Sequence, residues 1–474
     1  MHLRAAEKRL PALGGAPYNL EKVLFGCQRP WYNKKIKVGK EERRLETDKP
    51  KGRGSKGWFP LDNAAKLYPA IENAKWSSQF RLSLTLFEPV DPALLEQAVN
   101  DTLQRTPSFR VRLRRGMFWY YLEENDVWFQ VKKEEGHPCI RMRRRENGGY
   151  LFRVLYESRR ISLEVFHALA DGTGGLIFLK TLVAQYLRLK GYDIPSGQGV
   201  LDLGAAPDPR EAEDAYSRVP IDGEHMSRRE KRAYHFHGMR EMPHTLHVIK
   251  AEMPLEAVKA QSKAYGATLT EYLTAVFLYT IYLRQQAGRR DKRSPVKISV
   301  PVNMRKFMPT PTLRNFAFFV NVGIDPGLGQ YTFREVVELT HHYMRYSMNP
   351  KFLLAGIATN VASERNWLIR LCPLPLKNWV LTQVFHRVGE SLFTTTLTNL
   401  GQVELPPAMA AQVAGAEMLL GSAFSGRSNC AALSYGGTLT LGFTRNIREA
   451  DFEHDALCFL VAQGVPVTVD SNQD

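Results

Sequence analysis

From Trp58 onward the chain alternates between two hydrophobic rhythms, one repeating every second residue and one about every 3.6 residues. Residues 79–89, QFRLSLTLFEP, alternate apolar and polar side chains and predict a half-buried strand. In the VDPALLEQAVNDTLQRTPSFRVRL that follows, Asp91 can cap a helix and Pro92 suits its first position, while Leu94, Leu95, Ala98, Val99, Thr102 and Leu103 keep a helical period. Pro107 ends that helix, and residues 109–113 return to strand. Residues 150–156 and 161–166 read as two further strands, the second ending at His167, and 176–189 as an apolar-periodic helix. Periodicity then dissolves into Pro, Gly and mixed charge over 191–244, which predicts a crossover.

A second lobe starts near Thr245. It holds a strand in HVIKAEMP, a helix over 255–265 and a long helix in TLTEYLTAVFLYTIYLRQ that opens with a Thr268–Glu271 capping box. Strands follow in VKISVPVNMR and FAFFVNVGID, and LSYGGTLTLGFTRNI predicts a hairpin turning at Gly436-Gly437. The resulting division is an arm at 1–57, an N-terminal lobe at 58–190, a crossover at 191–244 and a C-terminal lobe at 245–474. Both lobes mix strands with amphipathic helices without a regular alternation, which argues for α/β lobes with mixed sheets rather than a barrel or a dinucleotide-binding unit.

Composition narrows the class. A length of 474 residues with 44% hydrophobic and 11% aromatic side chains can fill two globular cores. No run of about 18 apolar residues occurs and the start lacks the apolar block of a secretory signal, so a cytoplasmic location without a transmembrane segment is the expectation. The five cysteines, at positions 27, 139, 372, 430 and 458, form no C-x-x-C pair and suggest neither a disulfide framework nor a zinc site. Of the net charge of +16, residues 1–57 contribute +9, from 15 Lys or Arg against 6 Asp or Glu. Such an arm reads first as a solvated tail; an acidic protein or an anionic membrane surface would also suit it. Aromatic residues are not interleaved through its basic part, so nucleic acid is not expected.

The densest candidate chemistry lies in FHALADGTGGLIFL, residues 166–179. A histidine at a strand end can project its ring from the rim of a sheet, and its pKa of about 6.5 lets it take a proton from a hydroxyl or amine. Asp171 could orient that ring, lock the loop through an arginine, or simply cap the next helix. Gly172, Gly174 and Gly175 permit a tight turn and leave backbone amides near a helix start, where an oxyanion could be held.

His167-Ala-Leu-Ala-Asp171-Gly172 resembles the H-x-x-x-D-G motif of the chloramphenicol acetyltransferase-like superfamily, which includes condensation domains, polyketide-associated acyltransferases and bacterial alcohol O-acetyltransferases, the last being the nearest likeness. RTPSFR at 105–110, PVNMR at 301–305 and TLTNLG at 396–401 are similar to further segments of that group, and the resemblance covers about residues 58 to 465. It implies two similar lobes with a tunnel between them and an acyl group moving from a thioester to a hydroxyl or amine. The donor would be acyl-CoA, as a co-substrate and not a tightly bound cofactor, or a phosphopantetheine-linked carrier. It also implies that His167 is the base, Asp171 the loop-fixing carboxylate and Gly172 the residue that leaves room. Arg305 is the implied partner of Asp171 with Arg314 in reserve, and Asn399 is a substrate-site candidate. Phe166 stands where condensation domains often have a second histidine, and LSYGGTLTLGF stands where plant-type members have D-F-G-W-G. These departures lower the peptide-forming reading and leave the donor site open.

Other signals are weaker. GRGSKG at 52–57 fits G-x-G-x-x-G but follows no apolar strand. No G-x-S-x-G occurs. His235, His237, His244 and His247 could hold a transition metal but read first as solvated crossover residues, and no metal is expected. Residues 366–385, NWLIRLCPLPLKNWVLTQVF, read as a packed element interrupted by Pro373 and Pro375, with peripheral membrane contact as the alternative. Three readings remain: an acyl-CoA-dependent acyltransferase, a carrier-protein-dependent amide- or ester-forming condensation enzyme, and a non-catalytic binding protein on the same fold.

Overall fold

The computed structural model describes residues 57–73, 77–220, 230–365, 370–422 and 427–473. The basic arm and GRGSKG lie outside these residues, Gly57 excepted.

The chain opens with β1 (Trp58–Pro60), a short helix α1 (Tyr68–Ile71), β2 (Gln79–Leu86) and α2 (Pro92–Arg105). As expected, Asp91 caps α2, accepting from the amides of Ala93 at 2.8 Å and Leu94 at 3.2 Å. β3 (Val111–Arg115) and β4 (Tyr120–Glu124) form a hairpin that β1 extends into a separate three-stranded sheet. β5 (Lys132–Lys133), β6 (Phe152–Glu157) and β7 (Arg160–Phe166) lead to α3 (Gly172–Leu189). That helix starts four residues earlier than its apolar period indicates, because Asp171 supplies the cap and the glycines form its first turn.

The second half carries β8 (His247–Pro254), α4 (Leu255–Ala264), α5 (Leu269–Ala287), β9 (Val296–Asn303), β10 (Ala317–Ile324), α6 (Phe333–Ser347), α7 (Pro350–Arg365) and α8 (Leu374–Val384). It ends with β11 (Thr395–Gln402), β12 (Val413–Leu420), β13 (Ser428–Tyr435), β14 (Thr438–Arg445), α9 (Asp451–Ala462) and β15 (Thr468–Ser471). The capping box of α5 forms as expected, with Glu271 accepting from the Thr268 amide at 2.8 Å and Thr268 Oγ1 from the Glu271 amide at 3.3 Å. The β13–β14 hairpin turns at Gly436-Gly437, both at positive φ.

Two larger sheets organise the molecule. One has the order β12-β2-β7-β6-β5, the other β10-β9-β11-β13-β14-β8-β15 with β11 parallel to both of its neighbours. The lobe boundary at residue 245 therefore fails for β12, which lies far into the C-terminal half yet pairs antiparallel with β2 of the N-terminal sheet. β13 joins the two cores: Cys430 and Ala432 belong to the C-terminal core, Ala431 and Leu433 to the N-terminal one. A strand buried on both faces shows no polar alternation, and its small residues let both layers approach. Behind it, Gly442 of β14 faces β12, where a Cβ would stand 2.3 Å from the Met418 carbonyl oxygen.

Among its described residues the crossover holds no long element, and at Glu211 it is strapped in place. Arg105, first residue of the RTPSFR segment, binds both carboxylate oxygens of Glu211 at 2.7 and 2.9 Å, and the Glu211 carbonyl accepts from the Leu313 amide at 2.8 Å. Among the described residues no helix is long and apolar enough to cross a membrane.

Candidate active site

β7 delivers His167 to the rim of its sheet, where the His167 amide donates to the Ser78 carbonyl at 2.9 Å. Ala168, Leu169 and Ala170 are fully buried beneath the loop, which accounts for the apolar spacer between histidine and aspartate. The imidazole is stacked on Tyr68, with ring centroids 4.6 Å apart and planes 19° from parallel, and meets the edge of Phe80 at 5.3 Å. The ring retains partial solvent access, yet enclosure by these neighbours holds its pKa below the usual histidine value; Asp171, the Asn315 hydrogen bond and Asp62 oppose that shift only in part.

The tautomer follows from Asn315. Its Nδ2 donates to the His167 carbonyl at 3.0 Å and to Asp62 Oδ2 at 3.1 Å, which uses both of its hydrogens and orients the amide. The Asn315 Oδ1, 3.0 Å from His167 Nδ1, is then an acceptor, so Nδ1 carries the proton. Nε2 is left with its lone pair. Asp62 is fully buried and also accepts from the Ala65 amide at 2.7 Å; burial raises its pKa against the nearby Arg314 guanidinium, 3.6 Å away.

Asp171 faces away from this chain. Its Oδ1 accepts from the Gly174 amide at 2.9 Å; its Oδ2 accepts from Arg305 Nη1 at 2.7 Å and from the Phe316 amide at 2.9 Å. Arg305 in turn donates to the carbonyls of Thr312 and Arg314, at 2.9 and 2.6 Å from Nη2. The aspartate therefore both caps α3 and ties it to the 312–316 segment. The reserve partner Arg314 is corrected: its side chain binds the Pro60 carbonyl at 2.7 Å and approaches Asp62. Gly174 lies so close to this segment that a Cβ would meet the Leu313 carbonyl oxygen at 1.9 Å. At Gly172 a Cβ would find only the side-chain ends of Leu400 and Met418, at 3.3 and 3.4 Å.

Asn399 sits on β11 and not on a loop. Its Nδ2 donates to Thr270 Oγ1 at 2.8 Å and its Oδ1 accepts from the Gly401 amide, so its amide is engaged away from His167; Leu400 is the residue of that segment that reaches the motif. Of the four crossover histidines, His247 pairs with Glu241 at 3.1 Å, and among the described residues no group of three or more His, Cys, Asp or Glu is arranged to hold a metal. Asp62, Tyr68 and Asn315 were not among the sequence candidates. Asp62 was visible at most as a turn residue, and nothing in the spacing marks Asn315 as a neighbour of His167. A cavity of about 690 Å³ opens beside Leu61, next in sequence to Asp62, and Lys66, two residues before Tyr68, and is walled by Trp58, Trp119 and Tyr121; His167 is not in its wall.

Residues 215–334, which contain Arg305 and Asn315 but not His167, match the alcohol acetyltransferase family. A search of curated protein sequences finds no significant match. Among solved structures, the trichothecene 15-O-acetyltransferase TRI3 of Fusarium sporotrichioides aligns at 10% identity over 85% of this chain and 94% of its own, with a TM-score of 0.55. TRI101 of F. graminearum, complexed with coenzyme A and T-2 mycotoxin, aligns at 12% identity over 84% and 96%, also at 0.55. The condensation domain of the monacolin K polyketide synthase MokA aligns at 12% identity over 86% and 96%, again at 0.55. As the motifs read from the sequence led us to expect, the chain shares the fold of these acetyltransferases and this condensation domain, and residues 215–334 match the alcohol acetyltransferases.

Proposed function

We propose that this chain is an acyl-CoA-dependent O-acyltransferase in which His167 is the general base. The observation that carries the reading is the proton on Nδ1, held by Asn315, which leaves Nε2 as the basic nitrogen of an imidazole kept neutral at cellular pH. Nε2 takes the proton of the acceptor hydroxyl as its oxygen bonds to the thioester carbonyl carbon. The tetrahedral oxyanion then expels the sulfur, which leaves as the thiol with the proton returned from the imidazolium. The Gly174 and Gly175 amides are used by Asp171, so those of Gly172 and Thr173 are the first-turn donors available to the oxyanion. Asp171 and Arg305 hold the motif loop against the second lobe and take no part in proton transfer. Donor and acceptor are proposed to reach Nε2 from opposite ends of a passage between the lobes.

The alcohol acetyltransferase match at 215–334 supports a hydroxyl acceptor, and the coenzyme A bound by TRI101 supports acyl-CoA as the donor. The likeness to a condensation domain keeps a carrier-linked phosphopantetheine as the alternative donor, with the same reacting atoms. The test is thiol release from acetyl-CoA and longer acyl-CoAs with a panel of alcohols and amines, for wild type and His167→Ala. Release lost in the folded variant supports the mechanism, and equal release from both proteins refutes it. Activity confined to acyl carrier protein donors would replace the CoA reading.

A further inference from the structure

α8 buries a charge and exposes two large apolar side chains. Lys377 is its buried charged side chain: the ammonium lies 3.4 Å from the centre of the Trp119 ring and donates to the Phe118 carbonyl at 2.8 Å. Leu374 is buried beside it, while Leu376 and Trp379 point outward, 53% and 63% exposed. The Leu374 amide donates to the Met117 carbonyl at 3.0 Å, which joins the helix to the tip of the β3–β4 hairpin, where Met117 is 73% exposed. Trp58, 66% exposed, packs edge-on against Tyr121 of the same hairpin and shares the wall of the aromatic cavity with Arg370, next to the exposed Leu371. Exposed Leu and Met occur singly on any surface; two tryptophans with three such residues on adjoining elements form a patch.

The charge around this patch is positive. Arg115, Arg370 and Arg387 are exposed around it. The carboxylates in the cavity wall, Glu123 and Glu364, are already paired, the first with Arg112 and Arg114 and the second with Lys66. The segment carrying a net +9 over residues 1–57 joins the chain directly at Trp58. Indole rings suit the headgroup boundary of a bilayer, where the apolar ring and polar N–H are both satisfied, and cations beside them are attracted to anionic lipid.

We propose that this face docks onto the surface of an anionic phospholipid bilayer. Trp58, Met117, Leu376 and Trp379 enter the headgroup region, and the surrounding arginines supply the attraction. A lipid surface fits better than an acidic protein because the cations are spread around exposed indoles and do not converge on a shaped pocket.

Full-length protein is sedimented with vesicles of phosphatidylcholine alone, or of phosphatidylcholine and phosphatidylserine at two to one. Wild type is expected to bind the anionic vesicles, more weakly as salt rises. Leu376→Glu with Trp379→Glu, the milder Trp379→Ser, and the joint change of Arg115, Arg370 and Arg387 to Gln are expected to weaken binding, the three-arginine variant by about tenfold or more at low salt. Circular dichroism and melting curves verify that the variants are folded. No sedimentation of wild type with either vesicle overturns the proposal. So does undiminished binding by a folded Trp379→Ser or double-Glu variant. Retention on an immobilised acidic carrier protein without vesicle binding overturns it in favour of a protein partner.

Discussion

Replacing Asn315 by Leu removes the acceptor that holds the proton on His167 Nδ1 while keeping a side chain of similar size. In the resting protein this is a hydrogen bond of 3.0 Å between neutral groups. In the proposed mechanism Nε2 takes the acceptor proton, the imidazole becomes a cation and the same bond rises from about 0.5–1.5 to about 1.5–3 kcal/mol. Only the gain of about 1–1.5 kcal/mol is lost from the transition state, so at about 1.4 kcal/mol per factor of ten kcat is expected to fall by about 5- to 12-fold, with KM for the acyl donor little changed. The pH profile supplies a second readout. The proposed base works as the neutral imidazole, so activity should be lost as pH falls through its pKa, which burial places below the usual value. The Asn315 hydrogen bond and the Asp62 charge both raise that pKa, so the acid limb of kcat/KM should move to still lower pH in Asn315→Leu and in Asp62→Asn. Asn315→Leu also strips a donor from the His167 carbonyl and from Asp62, a cost of about 1–3 kcal/mol for each buried acceptor, so assays belong well below the melting temperature. A folded Asn315→Leu enzyme with kcat within about threefold of wild type and an unmoved acid limb would refute the tautomer argument.

Three further outcomes are expected. Asp171→Ala leaves Arg305 without its carboxylate and the Gly174 and Phe316 amides without their acceptor; urea unfolding should show a loss of about 3–5 kcal/mol, and a loss under about 1 kcal/mol would contradict the bracing role. Gly174→Ala should fail to fold or melt far below wild type because its Cβ would overlap the Leu313 carbonyl, whereas Gly172→Ala, which meets only two flexible side-chain ends, should melt within a few degrees of wild type. Asp214, whose pKa burial raises to about 6, favours the folded state when protonated. That contribution is present below the unfolded carboxylate value and is lost as pH rises through about 6, so Asp214→Asn should stabilise the protein by about 1–2 kcal/mol at pH 8 and leave it unchanged at pH 4 when both are compared by chemical denaturation.

What the sequence determined by itself was everything encoded within a few residues of where it acts. Caps at Asp91 and Thr268, the Gly436-Gly437 turn and a histidine at the end of a strand are local choices of backbone conformation, and each appears in the structure. The order of the motifs also sufficed to identify the superfamily fold. The tertiary structure alone decided which distant groups meet. Apolar alternation marks the two faces of β2 but not its neighbour, so the return of β12 from the C-terminal half to pair with it was not legible, and β13, buried on both faces, shows no alternation at all. Spacing alone does not separate Arg305 from Arg314, and only the resemblance put Arg305 first; the path of the 312–316 segment turns the first toward Asp171 and the second toward Pro60. The same segment brings Asn315 between His167 and Asp62, residues 148 and 253 positions away along the chain. Hydrogen bonds of about 3 Å depend on side-chain direction as well as position, and that direction is set by the packing of two lobes that no single stretch of sequence contains.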